Sequence, residues 1–187
     1  MSHADSIVMG PGVGQADAAN VLLDQVVNAC AATRQRLLLD ADALNLLARS
    51  PRRLTDRVVL TPHPTEAARL LGISTPEVHS DRPGAAAAIA QRFGAICVLK
   101  GAGTVLAHPD GRLAICAAGN PGMAAAGMGD VLSGLGGGLM AQSDDAWSMA
   151  CVATLLHAQA GDRIAARLGE RAVTPSAVID ELGEMSA

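Results

Sequence analysis

The chain has 187 residues, half of them hydrophobic and 17% charged, a composition typical of one folded domain, residues 1–187, rather than of a disordered chain. Its formal net charge of −4, with no basic cluster longer than Arg52-Arg53, argues against nucleic-acid binding. No apolar run approaches the ~20 residues of a membrane span, and the N-terminus lacks a signal-peptide pattern. We therefore expect a cytoplasmic protein with no membrane partner.

The first half of the chain alternates short apolar strands with helices. We predict strands over residues 6–9, 37–40, 57–60 and 95–99, and helices over 17–32 and 84–93, with two shorter helices ending near residues 49 and 71. Asp42 is expected to cap the first of the shorter helices, and Gly72 to end the second.

The second half begins with a β-hairpin over residues 104–107 and 113–116, joined by a Pro-Asp-Gly turn. Three helices follow: one from the 120–130 loop to about residue 142, one over 147–168, and one beginning at Thr174-Pro175. Strands alternating with helices indicate a mostly parallel sheet covered on both faces. The predicted fold class is α/β, with three α/β/α layers and an antiparallel hairpin.

Two features of the later helices are expected to serve packing. Gly134, Gly136, Gly137 and Gly138 each cost about 1 kcal/mol of helix propensity against alanine, so we expect them to pack closely against a neighbour. His157, in the long helix, is predicted to be a packing residue rather than a chemical one.

The loop over residues 120–130 carries the clearest functional pattern. It is rich in small residues, ends in Gly127-Met128-Gly129-Asp130 and leads into an apolar helix. The first amides of a helix have no internal partner, and its dipole favours anions, so a phosphate is expected there. Asp130 would repel that phosphate, which indicates a proton acceptor or a metal-side group. The alternative is that Asp130 only caps the helix.

Other candidate residues follow the ends of predicted strands. The loop 10–14 has the sequence Gly-Pro-Gly-Val-Gly after the first strand, His63 stands between two prolines after the third, and Lys100 follows the fourth. Open α/β sheets bind ligands at the carboxyl ends of their strands. We therefore expect Gly12, His63, Lys100 and the Gly129-Asp130 pair to converge on one edge.

Lysine and cysteine usage adds two expectations. Of 14 basic residues only Lys100 is a lysine, which indicates a need for a compact ammonium group. The cysteines stand singly, mostly in apolar runs, which predicts buried free thiols rather than disulfides or a metal site: Cys30, Cys97, Cys116 and Cys151.

Four segments of the chain resemble one family in their sequences and in their order along the chain. They are residues 59–67 (Val-Leu-Thr-Pro-His-Pro-Thr-Glu-Ala), 99–104 (Leu-Lys-Gly-Ala-Gly-Thr), 120–134 and the loop 10–14. Together they are similar to the ADP/ATP-dependent NAD(P)H-hydrate dehydratases, a branch of the ribokinase-like superfamily, across nearly the whole chain. The resemblance implies a ribokinase-like fold and repair of hydrated NADH or NADPH, with ADP (or ATP) converted to AMP (or ADP) and phosphate. A bacterial-type composition favours ADP.

The resemblance also implies residue roles. Asp130 would be the catalytic base on the substrate hydroxyl, and Gly12, Gly14, His63 and Asp130 would contact the hydrated cofactor. Nucleotide-binding positions would be Lys100, Gly101, Ala102, Gly103, Thr104, Asn120 and Gly129. Mg²⁺ is the implied metal, and Glu66 is expected to reach it only through water. The alternative for Glu66 is an ordinary charge on a helix surface.

This sequence departs from the family in two ways. The family loop usually reads Met-Ala-Thr-Gly-Gly-Thr-Gly-Asp, and here Ala125, Ala126 and Met128 remove two hydroxyls and add a Cβ where positive φ is expected. The chain also begins almost at the loop 10–14, so we expect about the first third of the family's domain to be absent. The chain would then be a fragment, a divergent short form, or dependent on oligomerisation. We expect an exposed sheet edge and self-association into a homo-oligomer, the family precedent being a tetramer.

Two alternatives to the dehydratase remain open. One is a vitamin or sugar kinase of the same superfamily, which would use Asp130 as base on a different alcohol. Against it, related kinases often have Asn where this chain has His63. The other is a nucleotide-binding remnant without catalysis, favoured by Ala125, Ala126 and Met128.

Overall fold

The computed structural model describes residues 4–33 and 35–185. Its strands are β1 Ser6–Met9, β2 Arg36–Leu39, β3 Val58–Leu60, β4 Ile96–Leu99, β5 Thr104–Ala107 and β6 Leu113–Cys116. Its α-helices are α1 Asp17–Thr33, α2 Ala41–Arg49, α3 Pro64–Leu71, α4 Thr75–Ser80, α5 Arg82–Phe93, α6 Met128–Met140, α7 Ala146–Leu168 and α8 Pro175–Met185. Short 3₁₀ turns occupy Pro121–Met123 and Glu170–Ala172.

The six strands form one sheet in the order of the chain. Strands β1 to β4 are parallel, and β5 and β6 are antiparallel to their neighbours. This confirms the predicted mostly parallel sheet with a hairpin. Because every strand β1 to β4 runs the same way, their carboxyl ends share one edge, where the functional residues were expected.

Helices cover both faces of the sheet, which confirms the three-layer architecture. Alternate residues of a strand point to opposite faces. Leu37 and Leu39 of β2 belong to the core shared with α1, α2, α3 and α5, whereas Leu38 between them belongs to the core shared with α6 and α7. A third cluster joins the start of α6 to α7 and α8.

Two local predictions were wrong or incomplete. Helix α4 was missed, although Ser74 and Glu77 form a capping box at its start. Asp42 does not cap α2, whose N-cap residue is Asp40. Instead the carboxylate of Asp42 accepts the Gly14 amide at 2.9 Å and the Gln15 side chain at 3.0 Å, so it holds the loop 10–14.

The cysteine prediction is confirmed in part. All four cysteines are free, but only Cys30 and Cys97 are buried, and Cys116 and Cys151 are half-buried. Burial raises the pKa of the Cys30 and Cys97 thiols, so they remain protonated and unreactive at neutral pH. Among the described residues, no helix has both the length and the apolar character needed to cross a membrane.

The glycines of α6 divide into two pairs. A Cβ on Gly136 would lie 2.9 Å from Cδ1 of Leu38, and one on Gly137 would collide with Cγ2 of Val8. These two glycines let α6 approach the sheet, as predicted. Gly134 and Gly138 are exposed with nothing within 4 Å of an added Cβ, so the packing prediction is wrong for them.

Replacing these glycines with alanine should have opposite effects on stability. Gly137→Ala should lower the free energy of unfolding by about 1–3 kcal/mol, because the new methyl group pushes α6 away from β1. Gly134→Ala should raise it by roughly 0.5–1 kcal/mol, because alanine favours the helix and meets nothing. Urea unfolding of both variants measures the difference, and equal effects would contradict the described packing.

Candidate active site

Four strand ends and the start of α6 are joined by direct contacts at the carboxyl edge. The backbone of Gly10, after β1, packs on the carbonyl of Asp40, after β2, so closely that a Cβ would overlap it. The Lys100 amide, after β4, donates to the Pro62 carbonyl at 2.9 Å, after β3. An added Cβ on Gly129 would lie 3.4 Å from Nζ of Lys100. The predicted convergence is therefore present for these loops.

Asp40 is the centre of this edge. It is 1% exposed, and its Oδ1 accepts from Nζ of Lys100 at 2.6 Å while its Oδ2 accepts from Oγ of Ser133 at 2.8 Å. Burying one unpaired charge is costly, so each partner requires the other. The next residue, Ala41, has φ of 47°, the one positive φ outside glycine in the described chain. Such strain is often found at functional sites.

The start of α6 has the geometry expected of an anion site. Gly127, in the left-handed conformation at φ 86°, is the N-cap residue. The Met128 amide bonds to Ala125 and the Val131 amide to Gly127, whereas helix geometry leaves the amides of Gly129 and Asp130 without an intrahelical acceptor. Nζ of Lys100 and Oδ2 of Asp40 lie 3.4 and 3.6 Å from a Cβ built on Gly129, so the ammonium of this ion pair adjoins the free donors.

Asp130 stands at the third position of α6, so the capping alternative is wrong: Gly127 holds that place. Its side chain is exposed, and within the described residues its carboxylate makes no hydrogen bond or ion pair. An unpartnered carboxylate beside free helix amides is available to accept a proton from a ligand hydroxyl.

The altered residues of this loop do not distort it. Positive φ is confined to Gly127, so neither Ala125 nor Ala126 adopts the strained conformation that was expected there. Met128 is 5% exposed and packs with Ile164 and other apolar residues of α7 and α8. The larger side chain therefore anchors the start of α6 to the C-terminal helices.

His63 and Glu66 lock the start of α3. Nδ1 of His63 accepts the Thr65 and Glu66 amides, and Oε2 of Glu66 accepts the His63 amide at 2.8 Å. Glu66 is buried, so it is not the surface charge of the alternative interpretation. Burial raises the pKa of Glu66, against the opposing effects of its hydrogen bond from the His63 amide and of the charge on Lys100.

The other ring nitrogen of His63 lies near the Glu66 carboxylate. Its Nε2 is 3.5 Å from Oε1 of Glu66, and 47% of the His63 side chain is exposed. The cap fixes the ring through Nδ1, and the exposed part of the ring is available to a ligand.

The loop from Lys100 to Thr104 is held from behind by Arg82. The guanidinium of Arg82 donates to the carbonyls of Leu99, Lys100 and Gly103, and an added Cβ on Gly101 would lie 3.1 Å from it. The Thr104 hydroxyl closes the loop by donating to the Gly101 carbonyl at 2.9 Å. Gly101 and Ala102 are exposed, so the outer surface of the loop is free to contact a ligand.

Three residues predicted to bind ligands are held by contacts away from the Asp40–Lys100 pair. Gly12 and Gly14 lie further along the loop 10–14, which Asp42 holds through the Gly14 amide. Asn120 bonds to Asp162 of α7 and to the Gly122 amide.

A family model described as NAD(P)H-hydrate dehydratase matches residues 1–183. The chain belongs to this family. It is 50% identical over 172 residues to the bifunctional NAD(P)H-hydrate repair enzyme Nnr of Escherichia coli, covering 91% of this chain and 32% of that protein. It is 42% identical over 162 residues to the ADP-dependent (S)-NAD(P)H-hydrate dehydratase of Neisseria meningitidis, covering 84% of this chain and 54% of that protein. The chain thus spans about a third of the bifunctional relative and about half of the other.

Solved structures of this family share the fold. An ADP/ATP-dependent NAD(P)H-hydrate dehydratase from Bacillus subtilis, co-crystallised with ATP and Mg²⁺, superposes with a TM-score of 0.87 at 29% identity, covering 97% of this chain and 64% of that one. A ribokinase-like superfamily protein from Enterococcus faecalis gives 0.82 at 29% identity, covering 97% and 62%. The predicted ribokinase-like fold is confirmed.

The described residues contain no preformed cluster of three or more histidine, cysteine or acidic side chains that could hold a metal. Mg²⁺ commonly binds through one or two carboxylates together with nucleotide phosphates. The unpaired carboxylate of Asp130 beside the anion site fits that mode. Asp40 does not, because both of its oxygens are already bonded.

His157 of α7 is buried, as expected of a packing residue, and its Nε2 has no hydrogen-bond partner among residues 4–33 and 35–185. Burial lowers the pKa of His157 to about 4, and the nearby Met128 backbone opposes this only in part. A neutral His157 is therefore part of the folded state at neutral pH.

This burial predicts an acid-sensitive step in stability. The unfolded chain takes up the proton near the ordinary histidine pKa of 6.5, before the folded chain does, so the contribution of His157 is complete above that pH and is lost as pH falls towards about 4. The free energy of unfolding changes through this group by at most about 1.4 kcal/mol per pH unit. Between these two pH values, the free energy of unfolding of His157→Leu, measured with urea, should fall less steeply than that of wild type. The control His79→Gln, at an exposed histidine, should follow the wild-type curve. Parallel curves for wild type and His157→Leu would contradict this.

The sequence pattern did not predict the roles of several residues that shape the site. Asp40, Arg82, Ser133 and Asp162 act through partners between 17 and 93 positions away. The one local signal was the position of Asp40 directly after a strand that ends at the functional edge.

Proposed function

We propose that residues 1–187 act as one domain that catalyses the ADP-dependent dehydration of (S)-NAD(P)H-hydrate to NAD(P)H, with ADP converted to AMP and phosphate. The observation that carries the proposal is the start of α6, where two free amides, with the Lys100 ammonium beside Gly129, share one helix turn with the exposed, unpaired carboxylate of Asp130. An anion site beside a free base suits phosphoryl transfer, which depends mainly on positioning and charge stabilisation.

The phosphates of ADP bind between the amides of Gly129 and Asp130 and the Lys100 ammonium. Asp40, which itself accepts a hydrogen bond from Ser133, holds Lys100 in place, so the ammonium is oriented before the nucleotide arrives. The remaining nucleotide contacts come from the loop held by Arg82 and from the loop before α6: Gly101, Ala102, Gly103, Thr104 and Asn120.

The hydrated nicotinamide lies on the side of Asp130 that faces away from the ADP phosphates, against His63, Gly12 and Gly14. The capping box keeps the His63 ring fixed, and the exposed part of the ring contacts the substrate. Gly14 is held by Asp42, so its loop presents its backbone in a defined conformation.

The reaction proceeds in two stages. The carboxylate of Asp130 accepts the proton of the C6 hydroxyl as that oxygen attacks the terminal phosphorus of ADP, and AMP departs with the electrons of the broken P–O bond. The ring nitrogen lone pair then expels the phosphate from C6. Loss of the C5 proton restores the ring double bond.

Mg²⁺, when bound with the nucleotide, neutralises phosphate charge, and Asp130 is the residue that would meet it. Glu66 would act on the ion only through water, since its Oε2 is bonded to the His63 amide. Neither role changes the assignment of Asp130 as the base.

The protein is proposed to act as a homo-oligomer, with a tetramer as the family precedent. Strand β1 is bonded on one side to β2 and is the edge of the sheet, and Val8 on it is 39% exposed. Exposed edges favour association. Light scattering of the purified chain should give a mass at least twice 18.9 kDa, and a monomer would contradict this.

A turnover assay tests the proposed function. The chain is mixed with hydrated NADH, Mg²⁺ and ADP, and the return of reduced-nicotinamide absorbance is followed. Restoration that depends on ADP supports the dehydratase. Absence of restoration with ADP still bound would instead favour a remnant, and phosphorylation of a vitamin or sugar alcohol would favour the kinase.

A further inference from the structure

The loop that precedes α6 is tied to α7 by one carboxylate. Oδ2 of Asp162 accepts the Gly119 amide at 2.8 Å, and its Oδ1 accepts Nδ2 of Asn120 at 2.9 Å. Oδ1 of Asn120 in turn accepts the Gly122 amide at 3.0 Å. Three hydrogen bonds therefore fix the start of this loop, and two of them end on Asp162.

Packing beside Asp162 leaves the loop little freedom. Met123 lies over Gly161 of α7, where an added Cβ would come within 2.6 Å of its Sδ. Gly122 lies against the carbonyl of Glu170, so a Cβ there would overlap that oxygen. The segment from Gly119 to Met123 is thus held by polar bonds and by close apolar contact with α7 and the turn after it.

This anchor lies close in sequence to the anion site. Four residues separate Met123 from Met128, which is itself buried against the C-terminal helices. Between them Ala124, Ala126 and the N-cap Gly127 are exposed and Ala125 packs partly against the third apolar cluster, so this part depends mainly on its two ends for its position. The free amides of Gly129 and Asp130 follow directly.

We propose that Asp162 is a positioning residue for the nucleotide: its carboxylate holds the Gly119–Gly122 turn so that the loop and the first amides of α6 are preorganised for a nucleoside diphosphate. This rests on the proposed function. Asp162 does not touch the reacting atoms and acts through Asn120 and the Gly119 amide. Its loss therefore affects nucleotide binding more than the chemical step.

Asp162→Asn tests this with little change of shape. One oxygen remains to accept the Gly119 amide, but the new amide group faces the amide group of Asn120, so one bond is lost and two donors oppose each other. Loss of a charge-assisted hydrogen bond corresponds to roughly a tenfold or larger weakening of ADP binding, measured by equilibrium dialysis. The kcat at saturating ADP should stay within about threefold of wild type, giving an effect mainly on KM.

Two further variants separate positioning from a general loss of structure. Gln159→Ala changes an exposed residue of the same helix and should leave ADP binding unaltered. The exchange Asp162→Asn with Asn120→Asp restores a donor opposite an acceptor and should recover the hydrogen-exchange protection of the Gly119 and Gly122 amides. Loss of this protection in Asp162→Asn without any weakening of ADP binding would overturn the proposal.

The outcomes also distinguish this proposal from the proposed function. Wild-type chain that fails to bind ADP would contradict the proposed function itself. Wild-type chain that binds ADP, together with Asp162→Asn that binds it equally well, would contradict only the positioning role of Asp162.

Discussion

Asp130→Asn should abolish most of the dehydratase turnover while leaving the fold and ADP binding in place. A general base contributes about 10²- to 10⁴-fold to rate, and an amide cannot accept the hydroxyl proton. Because Asp130 is exposed and has no partner within the described residues, its replacement should change the free energy of unfolding by no more than about 1 kcal/mol. Initial rates of NADH restoration measure the loss.

The matched control is Asp180→Asn, which removes an exposed carboxylate from α8 at a distance in sequence from the site. It should keep wild-type turnover. ADP should bind Asp130→Asn at least as well as wild type, because a negative charge beside the phosphates is gone. Retention of more than about a tenth of wild-type kcat by Asp130→Asn would exclude the role of general base.

Asp40→Asn should weaken both the fold and the nucleotide site. It leaves the Lys100 ammonium without its carboxylate, and removal of one partner of a buried pair commonly costs 3–5 kcal/mol; because Lys100 is 20% exposed, we expect about 2–3 kcal/mol. A misplaced ammonium should also raise the KM for ADP by roughly tenfold. Urea unfolding and steady-state kinetics measure the two effects.

Asp56→Asn is the control for Asp40, since Asp56 is an exposed carboxylate in a turn. It should change neither stability nor KM. The double variant Asp40→Asn with Lys100→Met should be less unstable than the sum of the single variants, because the isolated charge is removed. Additive losses would show that Asp40 and Lys100 do not act as a pair.

The fold was largely predictable because its signals are local. Short apolar strands, capping residues and the Pro-Asp-Gly turn each depend on a few neighbouring positions, and alternation of strand and helix restricts the topology. Helix α4 was missed although Ser74 and Glu77 offered a local signal. The distinction between Gly137 and Gly134 was not predictable, since it depends on which face of α6 meets β1.

The site was predictable only for residues that lie in loops at strand ends. His63, Lys100 and Asp130 occupy such positions, and their proximity follows from parallel strands sharing an edge. The contacts that hold these residues in place could not be predicted from the sequence. Asp40 is bonded to Ser133, 93 positions away in sequence, and Asp162 is bonded to Asn120, 42 positions away. Neither pairing leaves a pattern in the local sequence.

The most direct test of the proposed reaction is its stoichiometry. Phosphorus NMR of the chain with hydrated NADH, Mg²⁺ and limiting ADP would count the products as reduced-nicotinamide absorbance returns. We predict one AMP and one phosphate for every NADH restored, with both products absent for Asp130→Asn. NADH restored without consumption of ADP, or ADP cleaved without restoration of NADH, would contradict a phosphoryl transfer coupled to dehydration at this site.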